Sequence, residues 1–103
     1  MFAVIYKFTV KEGQDENFIH SWEELTKLIR KYEGSYGSRL HRISAERYLA
    51  YALWPNRETW KNSGKKLPAE SAAIRNVMRE SCVEIDTEYE LNVVSDLLNH
   101  NEV

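Results

Sequence analysis

The chain has little of what marks several functional classes. Of its 103 residues one is cysteine, two are proline and four are glycine. The single thiol, Cys82, cannot close a disulfide within the chain, so no oxidised framework holds the fold, and a reducing, cytoplasmic setting is the expectation. It ends an apolar helical pattern, where a free cysteine is expected to be a buried structural residue. No apolar run approaches the ~20 residues of a membrane span. The opening MFAVIYKFTVKEG has neither the basic start nor the small-residue cleavage site of a secretion signal, and reads as a strand. Basic charge is not in excess. The 14 Lys and Arg against 16 Asp and Glu leave a net charge of −2, so neither nucleic acid nor an anionic membrane is an expected partner. Phosphate-cradling loops, zinc spacings and nucleophile elbows are missing as well.

What is there is aromatic and globular: 43% hydrophobic residues, three Trp, six Tyr and three Phe. The length suits one domain over residues 1–103. FAVIYKFTV (Phe2–Val10) is a strand, with Phe2, Val4, Tyr6, Phe8 and Val10 on one face. From Gln14 to Tyr32 the period changes, and Phe18, Trp22, Leu25, Ile29 and Tyr32 make the stripe of a helix lying on a core. YGSRLHRI (Tyr36–Ile43) and ERYLAYALW (Glu46–Trp54) read as a hairpin. A short helix follows over Arg57–Ser63, then a break at Gly64–Pro68, a second helical pattern over Ala69–Cys82, and a strictly alternating strand, VEIDTEYELNVV (Val83–Val94). Residues 94–103 form a tail that is expected to pack on a partner protomer.

The order β-α-β-β-α-β predicts an α+β, ferredoxin-like domain, one antiparallel sheet with helices on one face. The open face of such a sheet should be polar. Here Ala3 and Ile5 on the first strand, and Leu49, Tyr51 and Leu53 on the third, make that face apolar. A second copy packing sheet on sheet is the simplest cover, so a homodimer is expected.

Three stretches, VIYKFTVKEGQDENFIHSWEELTKLI, GSYGSRLHR and YLAYALWPNRETWKNS, resemble the antibiotic biosynthesis monooxygenase family of the dimeric α+β barrel superfamily. The most specific feature is the strand-end Trp54-Pro55, followed by the small polar Asn56, a charged pair and the aromatic Trp60. The resemblance implies a pocket between helices and sheet. It also implies, for some members, oxidation of phenols to quinones by molecular oxygen without metal or flavin. No cofactor and no metal are therefore expected. Haem-degrading relatives use an Asn, a Trp and a His at the places held here by Tyr6, Ser63 and Ala73, so the resemblance does not extend to haem chemistry.

The candidate residues come from both lines. Tyr6 faces the helices, where a phenol could donate to a substrate oxyanion; it could equally be a core residue at the pocket rim. His41, flanked by Arg39 on the same strand face, is the best titratable candidate for a general base, with an exposed strand position as the plainer reading. Asn56 fits the N-cap of the short helix and Trp60 its anchoring staple; a substrate contact by Asn56 and a pocket wall at Trp60 are the functional alternatives. Phe8, Trp22 and Arg79 complete the expected substrate pocket. Arg75 and Arg79, four apart, more simply make a salt-bridged solvent face. Glu84, Asp86, Glu88 and Glu90 share one face of an alternating strand and read as a solvated or Arg-paired row rather than a metal site. The Gly64–Pro68 break is expected to be a mobile lid. The functional expectation is a cofactor-independent monooxygenase-like enzyme acting on an aromatic or enolisable small molecule. The alternatives on the same scaffold are a non-catalytic ligand-binding dimer and an isomerase or quinol-handling enzyme.

Overall fold

A computed structural model describes residues 1–98. The order is β1 (Phe2–Val10), α1 (Asp15–Tyr32), β2 (Gly37–Ser44), β3 (Arg47–Trp54), α2 (Arg57–Lys61), α3 (Ser71–Glu80) and β4 (Cys82–Asn92). The four strands pair antiparallel in the order β2-β3-β1-β4. The helices lie on one face, which is the expected ferredoxin-like arrangement. Among the described residues no helix is long and apolar enough to cross a membrane.

Side-chain size along the central strands shapes the interior. On the helix face, Phe8 pairs with Tyr48, Tyr6 with Ala50, Val4 with Ala52 and Phe2 with Trp54. Phe18 of α1 is fully buried between Phe8 (ring centroids 4.9 Å apart) and Tyr48 (5.1 Å). That tilted aromatic stack pins the first half of α1 to the sheet. The Tyr48 hydroxyl donates to Asp15 Oδ2 at 2.5 Å, and the Arg42 guanidinium lies over the Tyr48 ring, 3.6 Å from the same carboxylate. Farther along β3, Ala50 and Ala52 place no bulk beneath the second half of α1. The helix stripe continues there with Leu25 and Ile29; Ala50 is sealed into the packed cluster with Phe8, Phe18 and Tyr48, and the open space lies over Ala52.

Three expectations need correction. β4 does not alternate strictly. Tyr6 pairs with Thr87 but Ile5 with Tyr89, so Glu88 is an extra residue, a β-bulge that reverses the parity of the rest of the strand. Ile85 and Thr87 share the helix face with Phe8 and Tyr6, whereas Tyr89 and Leu91 pair with Ile5 and Ala3 on the open face. The acidic row is split in the same way. Glu84 and Asp86 stand on the open face, while Glu90, opposite Val4, is on the helix face, where its Oε1 meets Arg57 Nε at 3.1 Å.

Cys82, expected at a helix end, opens β4 instead, paired with Val10 and 7% exposed. Burial was anticipated and has a chemical consequence: it pushes the thiol up to about 11, against the opposing charge of Lys11. At pH 8 roughly one folded molecule in a thousand then carries the reactive thiolate. Labelling by a thiol-specific disulfide reagent at pH 8 should accordingly run about 10²-fold slower in the native protein than in urea.

The third correction concerns the Gly64–Pro68 segment. It is not a loose lid. Glu33, 7% exposed just past the end of α1, accepts the backbone N–H groups of Gly64 (2.8 Å) and Lys66 (3.0 Å) on one carboxylate oxygen. The chain can turn from α1 into this position because Gly34 takes a left-handed φ of 80°. A segment held by two charge-assisted hydrogen bonds to a buried carboxylate is tethered, not drawn from the weakly contacted end of the structure.

Candidate functional site

Between α1, α3 and the helix face of the sheet lies a cavity of about 300 Å³. That is the lower end of the range for small-molecule sites, ~300–1,000 Å³. Its apolar wall comes from Phe8, Ala52 and Trp54 below, Trp22, Leu25 and Ile29 from α1, Met78 from α3 and Ile85 from β4. Its polar groups are the Tyr6 hydroxyl, Thr26, Ser35, Ser38, Ser63, Arg75 and Arg79. Among the described residues no carboxylate or imidazole lines it. Nor do any three His, Cys, Asp or Glu side chains gather among them where a metal ion could sit. A larger hollow of about 610 Å³ is lined by Ile5, Leu49, Tyr51 and Leu53 with Arg39 and His41. It is the uncovered side of the sheet and holds none of the groups just named except Thr26 and Ser38, at the β2 edge.

Tyr6 is the best-defined polar group of the cavity. Its hydroxyl oxygen accepts a hydrogen bond from Trp60 Nε1 at 2.7 Å. With that lone pair taken, the hydroxyl proton is left to point elsewhere, so Tyr6 is presented as a donor. Its pKa is raised, first by burial and then by the negative charge of Glu90, with the Trp60 bond opposing. The phenol therefore stays protonated at neutral pH.

Arg75 and Arg79 stand one turn apart on α3 and both border the cavity. The expected salt-bridged face does not form. The ion pairs among the described residues are Lys27–Glu24, Arg42–Asp15 and Arg57–Glu90, and neither Arg75 nor Arg79 takes part. Two guanidinium groups without acidic partners at the rim of an apolar cavity attract an anion.

The remaining expected site residues divide. Phe8, Trp22 and Arg79 line the cavity with Tyr6. Trp60 does not; it sits behind Tyr6, packed on Phe2 with ring centroids 5.8 Å apart, and its part is to orient the phenol. Asn56 caps α2. Its Oδ1 accepts from Thr59 N at 2.8 Å and Thr59 Oγ1 at 2.9 Å, and the exposed residue is not part of the cavity wall. Asn56→Ala should cost about 1 kcal/mol in urea denaturation, the ordinary value of a lost cap. His41 is placed on the wrong side for a general base acting with Tyr6. It pairs with Leu49, and side chains at that register position point to the open face, with the sheet between them and Tyr6. Parity along a strand says which residues share a face, not which face is inward.

Two contributors escaped the sequence. Arg75 looked like one half of a solvated pair, and only its missing partner marks it. Trp54 was read as the end of a strand. It is 3% exposed, its ring forms part of the cavity wall, and its Nε1 is the one buried side-chain polar atom without a hydrogen-bond partner among the described residues. An unsatisfied donor of this kind costs about 1–3 kcal/mol.

Comparison with known proteins agrees with this architecture. SnoaB, a cofactor-independent oxygenase from Streptomyces nogalater, superposes with a TM-score of 0.73 at 14% identity, over 95% of this chain and 97% of that one. A candidate antibiotic biosynthesis monooxygenase from Chloroflexus aurantiacus J-10-fl gives 0.76 at 15% identity, over 92% and 94%. A conserved protein of unknown function from Bacteroides thetaiotaomicron gives 0.69 at 22%, over 87% and 96%. Identities this low speak for the fold alone. Among curated proteins none matches significantly. The sequence model of one family does match, over residues 1–67, from β1 through α2 into the segment held by Glu33. By that match the chain belongs to the antibiotic biosynthesis monooxygenase family.

Proposed function

We propose that the helix-side cavity binds a small aromatic or enolisable molecule as its oxyanion and that the protein acts on it as a cofactor-independent oxygenase. One observation carries the reading: around a largely apolar space the cavity offers a fixed neutral donor, Tyr6, and two guanidinium groups, Arg75 and Arg79, that pair with no carboxylate among the described residues. Such a wall stabilises a phenolate or enolate and excludes the water that would compete for it. The bound carbanion-like substrate would transfer electrons to dioxygen. One oxygen atom becomes the new carbonyl and the other leaves as water, so that a phenol yields a quinone. Membership of the antibiotic biosynthesis monooxygenase family supports a monooxygenase-like activity, and SnoaB, which shares the fold, is a cofactor-independent oxygenase.

Among the described residues no carboxylate or imidazole lines the wall, and this bears on the proton. The substrate's own acidity, not a side-chain base, would set the low-pH limb of the rate. The same feature favours the second reading, a ligand-binding protein with no turnover. Oxygen uptake in chelator-treated buffer, with 1-naphthol, whose position 4 is free to take the new oxygen, and ring-substituted phenols of graded acidity, separates the two. The oxygenase reading expects uptake above the uncatalysed rate, with an acid limb that moves with the substrate's pKa. Binding of these compounds without uptake would leave only the second.

The protein is read as a homodimer through the open face of the sheet. Tyr89 is 62% and Leu91 42% exposed there, beside the half-buried Ile5, Leu49, Tyr51 and Leu53, and Val94 and Leu97 in the tail are almost wholly exposed. Sedimentation at micromolar concentration should give a dimer, and Leu49→Asp a monomer. A monomeric wild type would sink this part of the reading.

A further inference from the structure

The open face of the sheet is divided by charge. On its β2–β3 side stand Arg39, paired with Tyr51, His41, paired with Leu49, and Arg47, paired with Ser44 and Thr9. On its β4 side stand Glu84, opposite Thr9, and Asp86, opposite Lys7. Lys7, on β1 beside Asp86, is the exception to the division. The ion pairs among the described residues involve none of these side chains. The hollow on this face repeats the asymmetry: Lys27, Arg30, Arg39 and His41 line it, and no carboxylate does. A sheet with a basic edge, an acidic edge and an apolar strip between them is complementary to itself.

The division distinguishes between two ways of stacking a second copy. Sheets packed face to face and aligned leave a two-fold axis running either across the strands or along them. An axis across the strands sets β2 on the partner's β2 and β4 on the partner's β4, so base meets base and acid meets acid. An axis along the strands sets β2 on the partner's β4 and β3 on the partner's β1. The register supports the second. His41, Leu49, Lys7 and Asp86 form one cross-strand row, and Arg39, Tyr51, Ile5 and Tyr89 form the next row on the same face. An axis along the strands lays each row on its own reverse. His41 then meets the partner's Asp86, Arg39 the ring of the partner's Tyr89, and Tyr51 the partner's Ile5. Lys7 lays its aliphatic stem along the partner's Leu49.

We infer that the second copy docks with its two-fold axis along the strands, so that the basic β2 edge of each protomer, Arg39 and His41, meets the acidic β4 edge, Glu84 and Asp86, of the other. The inference rests on reading this face as the dimer contact, and it adds the orientation. Like charges set against like in the other arrangement penalise it, which is how an apolar contact gains a single register.

Cross-linking measures the orientation. Within one sheet β2 and β4 are three strand spacings apart, roughly 14 Å, whereas facing positions of packed sheets are about 10 Å apart. A short bismaleimide spanning about 10 Å should therefore join His41→Cys/Asp86→Cys into a covalent dimer on a denaturing gel. Either single variant should give little, because each position stands diagonally across the contact from its own copy. Cys82, buried and with its thiol pushed up to about 11, does not compete. His41 is exposed and Asp86 half-buried, so neither change disturbs the core. As a second measurement, Asp86→Arg should raise the dimer dissociation constant in sedimentation about tenfold, since it alters two symmetry-related contacts at once. Adding His41→Asp to it exchanges the charges and should bring the constant back to within about threefold of wild type. A dimer in which the single cysteine variants cross-link as fast as the double, or in which the double does not cross-link, overturns the orientation and leaves the dimer standing. So does an unchanged dissociation constant in Asp86→Arg. A monomeric wild type removes the dimer reading, and this inference with it.

Discussion

Tyr6→Phe should lower oxygen uptake with 1-naphthol by about 10²–10³-fold in kcat, the usual cost of one lost oxyanion donor. KM should change far less, because the aromatic ring and the apolar wall are unaltered. Trp60 is what makes the donor effective. By donating to the Tyr6 oxygen at 2.7 Å, it fixes which way the phenol proton can point. Removing the hydroxyl deletes the donor and also strands the Trp60 N–H, for about 1 kcal/mol of stability. Trp60→Phe keeps the donor but frees its direction. It should cost about tenfold in kcat, so the pair separates donation from orientation.

The same phenol should also mark the pH dependence of stability. Burial, then the charge of Glu90, raise the Tyr6 pKa above its ordinary 10.0, with the Trp60 bond opposing. A group raised on folding lends stability that is fully present below its unfolded pKa and is lost as pH rises through the folded one. The stability of the wild type should therefore sag in the alkaline range above pH 10, and Tyr6→Phe should remove that part of the sag. A kcat for Tyr6→Phe within threefold of wild type would end the case for Tyr6 as the oxyanion donor.

Glu33→Ala should destabilise the fold by about 2–3 kcal/mol, on the order of 10–20 °C in Tm for a domain of this size. One carboxylate oxygen holds two backbone N–H groups, Gly64 at 2.8 Å and Lys66 at 3.0 Å, and the residue is almost wholly buried. Truncation removes the acceptor for both amides and leaves a small void at the end of α1. Glu33→Gln keeps an oxygen in place and loses only the charge, so it should recover more than half of the loss. Hydrogen exchange gives the local readout. The Gly64 and Lys66 amides should exchange much faster in Glu33→Ala, while the central amides of β1 follow only the global change. If Glu33→Ala stays within 0.5 kcal/mol of wild type, the tether contributes nothing and the segment regains its candidacy as a lid.

Much of this architecture could be read in the chain because its signals are local. The stripe Phe18–Trp22–Leu25–Ile29 and the change of period at either end identify α1, and the face of β1 that carries Tyr6 and Phe8 follows from alternation. Asn56 announces its cap through the residue type and the helix it precedes. What could not be read depends on partners far away in sequence. The Tyr6–Trp60 bond spans 54 residues, and neither side chain signals the other. Glu33 looked like one more charged residue at a helix end, yet its amide partners come 31 and 33 residues later. His41 failed for a different reason: alternation in β2 is weak, so its inward face was not marked by apolar residues. The acidic strand misled because Glu and Tyr at alternate positions look regular whether or not an extra residue has been slipped in.

That extra residue, Glu88, makes β4 work as two half-strands with opposite loyalties. The first half, Ile85 and Thr87, belongs to the helix side, and the second, Tyr89 and Leu91, to the open side of the sheet. Deleting Glu88 would straighten β4 and leave Thr87 inward and Tyr89 outward, as they already are. Forcing the full-length strand into a regular ladder would instead turn Tyr89 and Leu91 under the helices and send Glu90 away from Arg57 to the open face. The bulge, rather than the identity of any one side chain, is what lets a single strand furnish apolar residues to both faces of the sheet.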